Sequence, residues 1–97
     1  MVIGIGKVYL QAEWVYSLKE KRMVVKSLAA KTANKFNVSV AEVEAQDNHK
    51  TIVLGFACVS NEAAHADAMV QRILRFMEDN TDAVVTDTGV EIYHTGI

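Results

Sequence analysis

The sequence predicts an α+β fold: a four-stranded antiparallel sheet with two helices packed on one of its faces. Three observations carry that prediction. Apolar residues alternate with polar ones, or run together, in four short stretches, and they recur at helical spacing in two longer ones. The stretches follow one another in the order β-α-β-β-α-β. A tight connection joins the second and third strands, which with right-handed crossovers leaves that order few other arrangements. The chain has 97 residues, of which 51% are hydrophobic and 23% charged, so it is expected to form one domain over residues 1–97.

Val2 to Glu13 reads as the first strand, with Val8, Leu10 and Ala12 alternating against Lys7, Tyr9, Gln11 and Glu13. Its opening Val-Ile-Gly-Ile-Gly is apolar on both faces, as an interior strand is, and the glycines allow close backbone approach or a bulge. They do not form a phosphate loop, because no helix follows Gly6. Ser17-Leu18-Lys19-Glu20 is a capping box: the Ser17 hydroxyl can accept from a backbone N–H three residues on, while Glu20 reaches back to the cap N–H. The helix it opens runs to Phe36, with Leu18, Val25, Leu28, Ala29, Thr32 and Phe36 on one face. Asn37 ends it, since asparagine tolerates the left-handed conformation of a C-terminal cap.

Val38 to Glu44 alternates as a second strand, placing Glu42 and Glu44 on the same face, and Ala45 to Lys50 supplies the turn. Thr51 to Val59 is a near-continuous apolar run, expected at the centre of a sheet. Ser60 or Asn61 is expected to cap a second helix running to Asp79, with Ala66, Met69, Val70, Ile73 and Met77 inward. Ala83 to His94 forms the last strand, broken or bulged around Gly89. This is the ferredoxin-like sandwich. In it the second and fourth strands are edges, and their charges Glu42, Glu44, Asp87 and Glu91 discourage edge-to-edge pairing.

The net charge of −2 hides a split. Residues 17–36 carry Lys19, Lys21, Arg22, Lys26, Lys31 and Lys35 against Glu20 alone, giving +5; residues 37–97 hold three basic and ten acidic side chains, giving −7. On the first helix Lys19, Arg22 and Lys26 fall on one exposed stripe beside Met23, while Lys31 and Lys35 lie on the opposite flank. Such a stripe is either a solvated face or a phosphate-binding one. The acidic remainder argues against a dedicated nucleic-acid packager, and no DNA specificity is expected.

Other chemistry finds little support. His49, His65 and His94 lack ligand spacing, so no metal is expected. Cys58, the single cysteine, sits inside an apolar strand as a buried and inert thiol would. No nucleophile, base and orienting acid can be arranged from the spacing, and no cofactor motif is present, so no catalytic residue is named and the chain is read as no enzyme. No apolar run approaches the roughly 20 residues of a membrane helix.

Three segments carry a resemblance. Ser17-Leu18-Lys19-Glu20-Lys21-Arg22, Phe36-Asn37-Val38-Ser39-Val40-Ala41-Glu42-Val43 and Leu54-Gly55-Phe56-Ala57-Cys58-Val59-Ser60-Asn61 together resemble the YlxP-like family of small bacterial proteins. The resemblance implies a ferredoxin-like fold and a cytoplasmic setting, and the frequent neighbourhood of such genes to translation genes points toward RNA or ribosomal work. It carries over no catalytic residues. Family members often have an aromatic residue in the turn after Gln46-Asp47, where this chain has Asn48 and His49.

The functional expectation is therefore an accessory protein that binds RNA or ribosomal particles through Lys19, Arg22 and Lys26. The alternative is an oligomeric protein–protein interaction module, or a small-ligand regulatory one, using the open sheet face with Ile3, Ile5 and Tyr9. A homodimer is expected from the apolar residues on both faces of the first and third strands.

Overall fold

The computed structural model describes residues 1–97. Its elements are β1 (Val2–Gln11), α1 (Leu18–Phe36), β2 (Ser39–Glu44), β3 (Thr51–Ser60), α2 (Ala63–Asp79) and β4 (Val84–His94). All neighbouring strands are antiparallel in the order β2-β3-β1-β4. The fold is the α+β ferredoxin-like sandwich, with β2 and β4 at the edges.

The strict alternation of β1 divides the sheet into two faces. Val2, Gly4, Gly6, Val8 and Leu10 are buried, and the residues between them are half-exposed. The buried glycines let neighbours approach closely. A methyl at Gly4 would stand 2.8 Å from Val70 Cγ2 and 3.1 Å from both the Ala66 carbonyl oxygen and Cys58 Sγ, so α2 rests directly on the β1 backbone. Across from Gly6 the Phe56 ring takes the space a side chain would need, with its nearest atom 2.2 Å from the ideal Cβ position. Ile52, Leu54, Phe56 and Cys58 of β3 complete this inner face, and Ala66, Val70, Ile73, Leu74 and Met77 of α2 close over it.

The caps of α1 follow the sequence reading except that the Glu20 carboxylate does not return a hydrogen bond to the Ser17 N–H. Ser17 Oγ accepts the Glu20 N–H at 3.1 Å, and Asn37 ends the helix in the left-handed region at φ 54°. Phe36 and Phe76 meet edge to face at 5.3 Å, tying the end of α1 to α2.

Several expectations are corrected. β1 ends at Gln11, two residues early, because Ala12 to Val15 turns away with the Val15 N–H donating to the Ala12 carbonyl at 3.2 Å. The N-cap of α2 is Glu62, not Ser60 or Asn61; Ser60 Oγ instead accepts the Glu62 N–H at 3.1 Å, ahead of the first turn. The irregularity in β4 falls at Thr86, the extra residue opposite the Tyr9–Leu10 step, while Gly89 pairs regularly with Lys7. Val25 and Phe36 pack against the core but stay partly exposed, and the fully buried residues of α1 are Lys21, Leu28 and Thr32. Finally, β2 carries a bulge between Glu42 and Glu44, which sends the two carboxylates to opposite faces of the sheet. Glu42 turns toward α1 and Lys21, and Glu44 pairs with Lys7 on the open face. They are not a pair for acid–base work.

Candidate nucleic-acid interface

The outer surface of α1 holds the predicted residues together. Lys19, Arg22 and Lys26 are all exposed, with Met23 between them exposed as well. With 1.5 Å of rise per residue the stripe is about 10 Å long, a reach of about three phosphates along one strand. The ion pairs of the molecule are Lys7–Glu44 and Lys21–Glu42, so none of the three stripe cations is matched by a carboxylate. Helix stability does not account for them either. Lys35, in the last turn of α1, complements the negative end of the helix dipole, but Lys19 and Arg22 stand near the positive end, where cations are disfavoured.

Lys21 has a different role from its neighbours. The sequence reading counted it with the basic segment, yet the side chain is 1% exposed. Its ammonium donates to the Ala45 carbonyl at 2.6 Å and the Asn48 carbonyl at 2.7 Å, and lies 2.7 Å from Glu42 Oε2. That carboxylate oxygen is enclosed and has no well-directed hydrogen bond, so the ammonium charge is what balances it. Ala45 takes a left-handed φ of 59°, which turns its carbonyl toward the ammonium end of Lys21. The first turn of α1 is thereby fastened to the β2–β3 hairpin. A sequence signal existed: at 100° per residue Lys21 falls in line with Leu28 and Thr32, a cation set within the apolar stripe.

The loop before α1 is fastened to the same hairpin. Lys50 Nζ donates to the carbonyls of Glu13 and Val15 and lies 4.7 Å over the Tyr16 ring, and the Ala12 N–H donates to the Lys50 carbonyl at 2.8 Å. Between fully buried Ala12 and Val15, this turn projects Trp14 outward at 43% exposure. Trp14 borders an open cleft of about 320 Å³ that Met23, Ser27 and Lys31 of α1 share with Asn80 and Asp82 beyond α2. Trp14 was given no role in the sequence reading; a tryptophan at a strand end carries no periodic signal.

The remaining candidates stay apart. His49 lies in the hairpin, His65 on α2 with Nδ1 at 2.9 Å from Ser60 Oγ, and His94 at the end of β4. No three His, Cys, Asp or Glu side chains gather as a metal site. Cys58 is buried, and desolvation pushes its thiol pKa up, away from the reactive thiolate. On the open face Lys7 is held well above its ordinary pKa by its hydrogen bond to Glu44, with Tyr9 adding to the effect. No helix is long and apolar enough to cross a membrane.

Among solved structures, the chain is similar to the de novo designed protein LFR1 1 with ferredoxin fold, at TM-score 0.54 and 11% identity over 99% of this chain and 88% of that one. It is also similar to the de novo designed protein Foldit4, at TM-score 0.51 and 14% identity over 97% of both chains. At such identities the likeness is one of fold. In sequence the chain is 37% identical over 75 residues to the uncharacterized protein YlxP of Bacillus subtilis (strain 168), covering 77% of this chain and 82% of that protein. Residues 3–90 match the family described as protein of unknown function (DUF503), and with that relative beside it the chain belongs to this YlxP-like family.

Proposed function

We propose that the protein is an RNA-binding accessory factor that grips the phosphate backbone with α1. The observation that carries this reading is the exposed row of Lys19, Arg22 and Lys26, free of ion pairs, with Lys19 and Arg22 toward the positive end of the helix dipole. Chain-wide acidity limits such binding to this one face. The sheet lacks the paired platform of a stacking binder: Phe56 is buried under the helices, and the open-face tyrosines Tyr9 and Tyr93 stand opposite Asp87 and Ile3, about 20 Å apart along β1 at ~3.3 Å per residue. Three phosphate contacts are expected to give a log–log salt slope of about −2, at ~0.7 per contact for single strands. Filter binding to ribosomal RNA fragments at several salt concentrations checks this. Substituting all three residues by alanine should flatten the slope and weaken binding to every sequence alike. Lys35→Ala, at the far end of the helix, should leave both nearly unchanged. Equal affinity and slope for wild type and triple variant would overturn the reading.

A second reading concerns assembly, and the open sheet face favours it. Ile3 pairs with Val59 on one side and Tyr93 on the other, forming an apolar row across β3, β1 and β4 in which Val59 is 64% and Tyr93 55% exposed. Ile5 extends it, and the Lys7–Glu44 pair bounds it. We infer a homodimer in which two such halves meet about a two-fold axis, so that each copy covers the other's apolar row. Sedimentation equilibrium should show a dimer that Val59→Glu shifts toward monomer. A single species of 10.7 kDa at every concentration would reject it.

A further inference from the structure

The cleft beside α1 extends the RNA reading, on which this inference rests, to a kind of RNA. We propose that it takes an unpaired base of single-stranded RNA, stacked on Trp14, while the neighbouring stripe holds the backbone.

Two surfaces of opposite character meet at Met23. On one side stand Lys19, Arg22 and Lys26, without carboxylate partners. On the other, Met23 turns into the cleft that Trp14 borders, about 40° around the helix from Lys19. A phosphate suits the first surface, where three cations stand without a carboxylate, better than the second, where Lys31 and the Asp82 carboxylate line the same cleft and offset one another. A base suits the second. Its flat face finds the indole and the Met23 thioether, and its edge finds Asn80 and Asp82, which can accept from an exocyclic amino group. The volume of about 320 Å³ is at the small end of ligand sites, room for one ring system.

The turn that carries Trp14 is anchored before anything binds. Buried Ala12 and Val15 flank the turn that presents Trp14, and Lys50 holds the carbonyls of Glu13 and Val15. With that backbone already held, a stacking base has only the two torsions of the indole side chain to fix. A paired base cannot reach it, because in a duplex the base faces are covered by their neighbours. An acidic protein segment would satisfy the stripe equally well, but its carboxylates offer the indole and Met23 no flat face to stack on.

Trp14 is the single tryptophan of the chain, so its fluorescence reports directly on the cleft. Oligoadenylate should quench it, and a duplex of the same length should not. Trp14→Ala should weaken oligoadenylate binding about 5- to 150-fold, the range found for losing one stacked base. The salt slope should stay at that of wild type, since no phosphate contact is lost, and Trp14→Phe should recover much of the affinity. Thermal melts of both variants confirm that they fold. Polyglutamate, which offers charge without bases, should leave the emission unchanged. Oligoadenylate binding with a normal salt slope but no quenching, or quenching by polyglutamate to the same extent, overturns the base site and leaves backbone binding standing. Failure of any RNA to bind at low salt overturns both.

Discussion

Lys21→Ala is expected to destabilise the protein by about 3–5 kcal/mol, the usual cost of removing one partner from a buried ion pair. The substitution strands the enclosed Glu42 Oε2 without its cation and takes the donor from the Ala45 and Asn48 carbonyls together. The two losses differ in kind. The hairpin carbonyls are near the surface and can turn to water, whereas Glu42, at 20% side-chain exposure, is poorly placed to do so. The double variant Lys21→Met, Glu42→Leu should therefore recover a good part of the loss, since it leaves no unbalanced charge. Lys21→Arg should not substitute well, because a planar guanidinium cannot point at three acceptors gathered around one ammonium position. Urea melts of the four proteins measure this. A Lys21→Ala loss below about 1 kcal/mol, the scale of exposed pairs, would mean that the pair is solvated in solution.

Leu28→Ala is expected to cost about 2–5 kcal/mol, the range for truncating a core leucine. Leu28 is 3% exposed and belongs to the same cluster as Val8, Leu54 and Ile73, so the lost methyl groups leave a void at the junction of α1 with the rest of the core. The measurement also bears on the interface. Leu28 lies on the side of α1 away from Lys19 and Lys26, so a large loss fixes that stripe in solvent. Denaturant midpoints at unchanged slope provide the value. A loss below about 0.5 kcal/mol, typical of surface sites, would show that α1 is rotated about its axis and the stripe misplaced.

The element order, the caps of α1 and the edge positions of β2 and β4 are legible from the residues because each rests on local chemistry. Period and propensity place strands and helices, Ser17 and Asn37 act on backbone groups within a turn of themselves, and an antiparallel order follows from connection length. The exposed stripe is legible for the same reason: Lys19, Arg22 and Lys26 share a face in any straight α-helix. Two of the failures share a cause. The bulges at Glu42–Glu44 and at Thr86 depend on how two distant strands match in register, and neither leaves a mark in its own strand's alternation.

The residues by themselves determined the sandwich, its layers and a basic outer face on α1, because periodicity acts over a few residues and survives any packing consistent with it. Only the tertiary structure decided which cations are free and which are not. Lys21 and Arg22 are neighbours in sequence and alike in charge, yet one is enclosed against Glu42 and two hairpin carbonyls and the other stands in water. Likewise Trp14 acquires a cleft only when the loop after β1 and the turn after α2 are brought to the same end of the sandwich. Charge and aromaticity are properties of a residue; desolvation and juxtaposition are properties of what folds against it.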